Sequence, residues 1–192
     1  MSVIVAHRSN TINETYLNYY KRNNKCVEID IQLTKDNKLA VFHDNMTEKR
    51  MKQLFNFVGP TLVSLNEYLT HTPDDLEVFL ELKNYSNKDY VYRVVHLCKK
   101  FPKKQFTYLS FDKKFCHMIR SMKRRAITLI DNVEVLLDTT LDLTDVCVHK
   151  SLLDHPRLRA IEKVSVYDVM QKDVEKLQAT YPFVSTWIVD YN

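Results

Sequence analysis

Two histidine-bearing pairs, His7-Arg8 and His43-Asp44, flank a Glu28-x-Asp30 pair, and Glu81-x-Lys83 follows further along the chain. Histidine is the side chain whose ordinary pKa lets it take up and release a proton near neutral pH. Carboxylates bind hard divalent cations through oxygen. Arginine can grip two phosphate oxygens at once, and lysine acts as a point charge. Together these residue types suit cleavage of a phosphodiester. One group takes a proton from the attacking oxygen and another returns one to the leaving oxygen, while positive charge stabilises the phosphoryl oxygens in the transition state. On this reading His7 and His43 are the acid–base pair, Glu28, Asp30 and Glu81 hold a metal ion, and Arg8 and Lys83 contact the phosphate.

The carboxylates carry the metal expectation. Two of them about 4 Å apart repel by about 4 kcal/mol at an effective dielectric near 20. Three on adjacent strands require a proton, a cation or solvent. An all-oxygen set suits Mg²⁺ or Ca²⁺. Zinc fits less well, because no His or Cys pair shows ligand spacing. Taken alone, Glu28 and Asp30 also read as an exposed strand face, and Lys83 as a carboxylate's partner. His71, His96, His117 and His155 read as surface residues, whereas His149, at the end of an apolar run, is placed to face the same mouth.

These groups need a scaffold that delivers strand ends to one place. Residues 27–33 alternate, with Val27, Ile29, Ile31 and Leu33 on one face and Glu28, Asp30 and Gln32 on the other. Principal strand signals begin near residues 3, 27, 77, 106, 126, 145, 164 and 184, with helical stretches between them. The expected helices cover 11–22, a short segment capped by Ser64 with Glu67 at the capping-box position, 87–100, a segment from Ser110 or Asp112 to about Met122, 132–137, 151–160 and 171–180. A small strand over 38–42 joins the second by a tight turn at Asp36-Asn37. Parallel strands need crossover connections, so the alternation predicts a parallel sheet. Eight units predict a (β/α)8 barrel, with an open doubly wound sheet as the alternative. Ending at Asn192, the chain is expected to lack the last helix and to leave part of the wall uncovered, where a second subunit would fit. One domain over 1–192 is the simplest organisation.

Composition sets the remaining bounds. At 192 residues, 45% hydrophobic and 27% charged, the chain can bury a sizeable core. No apolar run approaches the roughly 18 residues that span a bilayer. The first strand signal starts at Val3, so no signal peptide is expected. The net charge of +4 does not make a nucleic-acid binder. The basic runs 99–104 and 123–125 read as solvated helix ends, with peripheral membrane contact as the alternative. Cys26, Cys98, Cys116 and Cys147 lack C-x-x-C spacing and read as buried thiols of a reducing, cytoplasmic compartment. Gly59 is the only glycine, so Asn, Asp, Ser and Lys must take up the turns.

The segments VIVAHRSNT, VEIDIQLTKDNKLAVFHD and FLELKNYS resemble the glycerophosphodiester phosphodiesterases, which carry an HRG segment, an E-x-D strand running into a TKDG-like turn and HD, then an E-x-K strand. Weaker similarity runs through TLVSLNEYL and SFDKKF to Tyr167 and TWIVDYN. The resemblance implies a (β/α)8 barrel that hydrolyses glycerophosphodiesters with a divalent cation. It implies His7 and His43 as acid and base, Glu28, Asp30 and Glu81 as metal ligands, and Arg8 and Lys83 as phosphate contacts. The chain departs from the pattern at Ser9, where the family has glycine. The family's P-E-N-T survives only in Ser9-Asn10-Thr11, and Tyr167 stands where many members have tryptophan. The expected substrate is a small-molecule or lysolipid phosphodiester. The alternatives are a phospholipase D-like lyase forming a cyclic phosphate from lysophospholipids, and a non-catalytic barrel that binds a phosphorylated ligand.

Overall fold

The structure, a computed structural model, describes residues 2–7, 26–34, 37–43, 63–83, 88–140 and 143–190. The expected helix over 11–22, Arg8, the Ser9-Asn10-Thr11 segment, Asp36, Asp44 and most of the stretch after it lie outside the described residues. Eight parallel strands follow one another around a closed barrel: β1 (Val3–Ala6), β2 (Cys26–Leu33), β4 (Glu77–Leu82), β5 (Gln105–Ser110), β6 (Ala126–Ile130), β7 (Asp145–His149), β8 (Lys163–Met170) and β9 (Val184–Asp190). Closure comes from β1, which pairs with β9 along Val3–Ala6 and with β2 at Ala6 opposite Val27. β3 (Leu39–Val41) is the exception, running antiparallel on β2 with Val41 opposite Ile31.

Period-two alternation decides which side chains fill the barrel. Val5, Phe79, Leu109, Ile127, Leu129, Cys147 and Ile188 form one apolar cluster inside the ring. The residues between them point outward. Val27, Ile29 and Ile31 of β2 join Val78, Leu80 and Leu82 of β4 against α1 (Leu65–His71), α2 (Lys88–Cys98) and α3 (Lys113–Ser121). On the other side, Val146, Val148, Val164, Val166, Trp187 and Val189 pack with Leu136 of α4 (Val133–Leu137) and Val174 of α5 (Val174–Thr180). Both faces of the strands are therefore buried, which is why β2 is apolar on its outer face and carboxylate-bearing on its inner one.

Local chemistry explains the element ends. Ser64 accepts from the Glu67 N–H at 3.1 Å and starts α1. Asp112 accepts from the Lys114 N–H at 2.8 Å and starts α3, and Asn132 accepts from the Val135 N–H at 2.9 Å and starts α4. Each side-chain oxygen satisfies a backbone donor that the first helical turn leaves over. The Tyr90 hydroxyl donates to the Ile31 carbonyl and ties α2 to β2. Positive φ falls on Asn37 (65°), Lys123 (56°) and Asp168 (62°). A chain with one glycine thus uses Asn at the β2–β3 turn, Lys at the end of α3 and Asp within β8.

Four expectations change in detail. The predicted helix over 151–160 is two 3₁₀ segments, Lys150–Leu152 and Pro156–Ala160, because Pro156 lacks the N–H that a continuous α-helix needs at that point. The predicted helix over 171–180 begins as a 3₁₀ turn at Gln171–Asp173 before α5. In the basic run 99–104, Lys104 is buried, and its ammonium donates to the Thr72 and Pro73 carbonyls at 2.8 and 2.6 Å. β9 is the last element among the described residues, yet its outward Trp187 and Val189 are fully buried, so that part of the wall is not bare. No helix among the described residues is long and apolar enough to cross a membrane.

Ser64→Ala should destabilise the fold by about 1 kcal/mol through loss of the α1 cap. That corresponds to a melting temperature lower by roughly 2–4 °C for a chain of this size. Ser64→Asp should restore most of it. Urea unfolding that gives all three proteins one midpoint would contradict the role assigned to the cap.

Candidate active site

The C-terminal ends of the barrel strands surround a cavity of about 290 Å³. Its lining is His7, Glu28, His43, Glu81 and Lys83 from the β1–β4 arc of the ring, and Leu109, Phe111, Leu129, His149, Tyr167, Asp168 and Ile188 from the β5–β9 arc. In (β/α)8 barrels this end, rather than the opposite one, holds reactive groups. Here the strand directions bring together residues more than 70 positions apart in the chain, such as His7 and Lys83.

Glu28 and Asp30 are two residues apart on the inner face of β2. Asp30 stands opposite Glu81 in the β2–β4 register. One carboxylate oxygen from each of Glu28, Asp30 and Glu81 lies within 4.8 Å of the others, and the residues are 2%, 0% and 9% exposed. Lys83 reaches back over the pair, its Nζ 3.1 Å from Asp30 Oδ1 and 2.5 Å from Glu81 Oε1. Burial opposes the Lys83 charge, but Glu81 and Asp30 outweigh it and hold the ammonium pKa above its ordinary value. Burial pushes the Glu81 carboxyl up, Lys83 pulls it back and Asp30 pushes it up again, for a net rise. Three carboxylates against one ammonium leave two negative charges when all are ionised. A hard divalent cation matches that charge and the all-oxygen donor set.

A group outside the predicted set orients the His7 ring, and another holds the backbone at His43. His7 Nδ1 lies 2.6 Å from Asp190 Oδ1, and its Nε2 lies 3.9 Å from Glu28 Oε2. A carboxylate on Nδ1 fixes the proton there and turns the Nε2 lone pair toward the carboxylate cluster. The backbone agrees, since the His7 N–H donates to the Val189 carbonyl at 2.9 Å. His43 follows β3, and Gln32 holds the chain there, donating through Nε2 to the Phe42 and His43 carbonyls at 2.8 and 3.0 Å. The hairpin on β2 is thus what brings His43 to the mouth.

The opposite wall is shaped by a β-bulge. Val166 pairs with Trp187 and Val169 with Val189, so three steps on β8 oppose two on β9. The extra residue lies at Tyr167-Asp168, and Asp168 takes the left-handed conformation. Asp168 Oδ2 is 3.1 Å from His149 Nε2 and 2.9 Å from Lys150 Nζ. His149 Nδ1 accepts from the Ser151 N–H at 3.3 Å, which leaves the ring proton on Nε2, facing Asp168. The Tyr167 ring meets His149 and Phe111 edge-on, with centroids 5.3 and 6.2 Å away. Burial, then the charges of Asp131, Cys147, Glu81 and Asp168, push the Tyr167 phenol up, so it keeps its proton.

Six of the seven predicted residues fall within the described part. The structure brings His7, Glu28, Asp30, His43, Glu81 and Lys83 together, while Arg8 lies outside it. His149 does line the cavity, but with both ring nitrogens engaged it forms part of the wall. The sequence reading missed Asp190, Asp168 and Phe111. Asp190 had a signal: Thr186, Ile188 and Asp190 share one face of a strand that a closed barrel must set beside β1. Asp168 had none, because a bulge reverses the alternation on which such a reading rests.

Residues 6–59 match the model of the glycerophosphoryl diester phosphodiesterase family. That interval contains the HRS, E-x-D and HD segments of the sequence resemblance, which holds there, while the E-x-K segment at Glu81-x-Lys83 lies beyond it. No curated protein sequence matches the chain. Among solved structures, a glycerophosphodiester phosphodiesterase from Parabacteroides distasonis is 20% identical with a TM-score of 0.74, the match covering 98% of this chain and 92% of that one. The enzyme from Thermotoga maritima is 18% identical, with a TM-score of 0.74 and coverage of 98% and 94%. An Oleispira antarctica phosphodiesterase, solved in complex with the product sn-glycerol-3-phosphate, is 16% identical, with a TM-score of 0.73 and coverage of 98% and 93%. At these identities the likeness establishes the fold.

Two outcomes follow from the site geometry. A divalent cation at 100 times its dissociation constant should stabilise the protein by about 2.7 kcal/mol, seen as a higher melting temperature. Glu28→Gln should lose most of that response, and an unchanged response would show that the ion binds elsewhere. The second concerns Asp168, whose carboxyl the Lys150 hydrogen bond, working against burial, and then the His149 bond hold below its ordinary range. A depressed carboxyl contributes stability above its unfolded pKa, near 4, and loses it as pH falls through the lower folded value. The stability gap between the wild type and Asp168→Asn should therefore shrink between pH 7 and pH 3 in urea titrations. A gap that widened on acidification would reverse the assignment.

Proposed function

We propose that this protein is a divalent-cation-dependent phosphodiesterase that hydrolyses glycerophosphodiesters to glycerol 3-phosphate and an alcohol. The observation that carries the reading is the convergence of two histidines, three buried carboxylates and a lysine on one cavity at the barrel mouth. The family match over residues 6–59 supports it, as does the likeness in fold to enzymes named for this reaction. Glu28, Asp30 and Glu81 would hold the cation, with Mg²⁺ or Ca²⁺ the ions that such a donor set favours. When bound, the cation supplies Lewis-acid stabilisation of charge on the phosphoryl oxygens.

The chain's own residues account for the proton transfers. Hydrolysis adds water across a P–O bond, so one proton must leave the attacking water and one must reach the departing alkoxide. His7 suits the first task. Asp190 at Nδ1 stabilises the imidazolium that forms when Nε2 takes the proton. His43, held on the β3 side of the cavity, suits delivery to the leaving oxygen. Lys83, which lines the cavity and offsets Asp30 and Glu81, would contact a non-bridging phosphate oxygen. The apolar residues Leu109, Phe111, Leu129 and Ile188 line the rest of the cavity and would keep it poor in water once substrate fills it, which strengthens each of these interactions.

His7→Ala and His43→Ala should each lower turnover of glycerophosphocholine by about 10²- to 10⁴-fold, and chelation of the metal should abolish it. Asp190→Asn should leave metal binding intact and shift the pH profile of kcat by weakening support for the imidazolium. Phosphorus NMR should show glycerol 3-phosphate as the product. A cyclic phosphate would instead point to attack by a substrate hydroxyl, and full turnover in either histidine variant would remove the assigned roles.

A further inference from the structure

The two sides of the cavity differ in kind. The groups that can handle a phosphate (His7, Glu28, His43, Glu81 and Lys83) come from the β1–β4 side. Around the ring β1-β2-β4-β5-β6-β7-β8-β9, β8 stands four strands from β4 in either direction, so Tyr167 faces Glu81 across the mouth. A phosphate held on the first side directs the organic part of its ester toward the second. The rest of the lining is apolar at Phe111 and Leu129 and, next to the first side, at Leu109 and Ile188. Its polar groups are occupied with one another. Asp168 holds His149 and Lys150, and His149 Nδ1 is capped by Ser151.

The Tyr167 hydroxyl is the exception, because it has no hydrogen-bond partner among the described residues. The ring is nevertheless fixed in place. Phe111 and His149 grip it edge-on from two sides, and the β8 bulge sets the strand that carries it. A rigid ring presenting an unused O–H donor and acceptor to a half-apolar cavity is arranged to select a ligand by one hydrogen bond. The space of about 290 Å³ admits a short carbon chain bearing hydroxyls.

We propose that Tyr167 is a specificity-determining residue whose hydroxyl hydrogen-bonds a hydroxyl of the substrate's polyol group, selecting hydroxylated phosphate esters over alkyl esters of the same length. The inference rests on the diesterase reading for its substrate, but its geometry does not depend on turnover. Sites built around a hydrogen bond discriminate against analogues that lack the partner group, since the protein's own polar group is then left unpaired.

The test compares 2,3-dihydroxypropyl 4-nitrophenyl phosphate with propyl 4-nitrophenyl phosphate in the wild type and in Tyr167→Phe, which keeps the ring and its packing. The ratio of the two kcat/KM values should favour the dihydroxypropyl ester in the wild type and fall about tenfold in the variant. A ratio that the substitution leaves unchanged overturns the proposal, even if both rates drop. If the wild type cleaves neither ester, the diesterase reading fails by itself. Calorimetry with glycerol 3-phosphate and propyl phosphate, in the presence of Mg²⁺, then decides the role of Tyr167. Tighter binding of glycerol 3-phosphate that Tyr167→Phe abolishes supports the proposal, and equal or absent binding of both ligands in the wild type overturns it.

Discussion

Three carboxylates buried within 4.8 Å of one another are the constraint around which the mouth of this barrel is organised. Left alone, such a group would repel itself apart or take up protons. Lys83 relieves part of the charge, and its position follows from the strand: two residues beyond Glu81, it lies on the same face and folds back over Asp30 and Glu81. The rest of the relief is the natural place for a divalent ion. The apolar layer formed by Val5, Phe79, Leu109, Ile127, Leu129, Cys147 and Ile188 raises the stakes, because it fills the barrel interior and keeps water away from the charges. Stability and chemistry therefore meet at one level of the barrel, and the strands that build the core also carry the reactive groups.

The two halves of the mouth have different supports. On the β1–β4 side the support is electrostatic, with His7 held by Asp190 and the hairpin after β2 pinned through Gln32. On the β8 side it is steric and conformational. There a bulge, a left-handed Asp168 and an aromatic contact between Tyr167 and its neighbours set the wall. Proton transfer demands strict orientation of a lone pair, whereas recognition of an organic group demands shape. Under the proposed function, each half carries the kind of support that its task would require.

A chain with one glycine still meets its conformational needs. Asn37 turns the β2–β3 hairpin with φ of 65°, and Lys123 closes α3 with φ of 56°. Asn pays little for this conformation, but Lys at a helix end is a costlier choice than glycine. Hydrogen bonds compensate at that end, where the Lys123 and Arg124 N–H groups return to the Arg120 and Ile119 carbonyls at 2.9 and 3.3 Å.

Much of this was written in the residues themselves. The alternation of Val27, Ile29 and Ile31 with Glu28 and Asp30 determined that β2 would carry carboxylates on one face, since side chains on a strand point to opposite sides in turn. The recurrence of eight strand signals with helical stretches between them pointed to a parallel sheet, with a barrel and an open sheet as the two ways to arrange it. Tertiary structure decided what no local pattern encodes. It set Asp190 against His7 across 183 positions, because only ring closure makes the first and last strands neighbours. It broke the β8 alternation at Asp168. Periodicity describes a strand or helix by itself. Which groups meet across the barrel depends on register and closure, and these are properties of the assembled sheet.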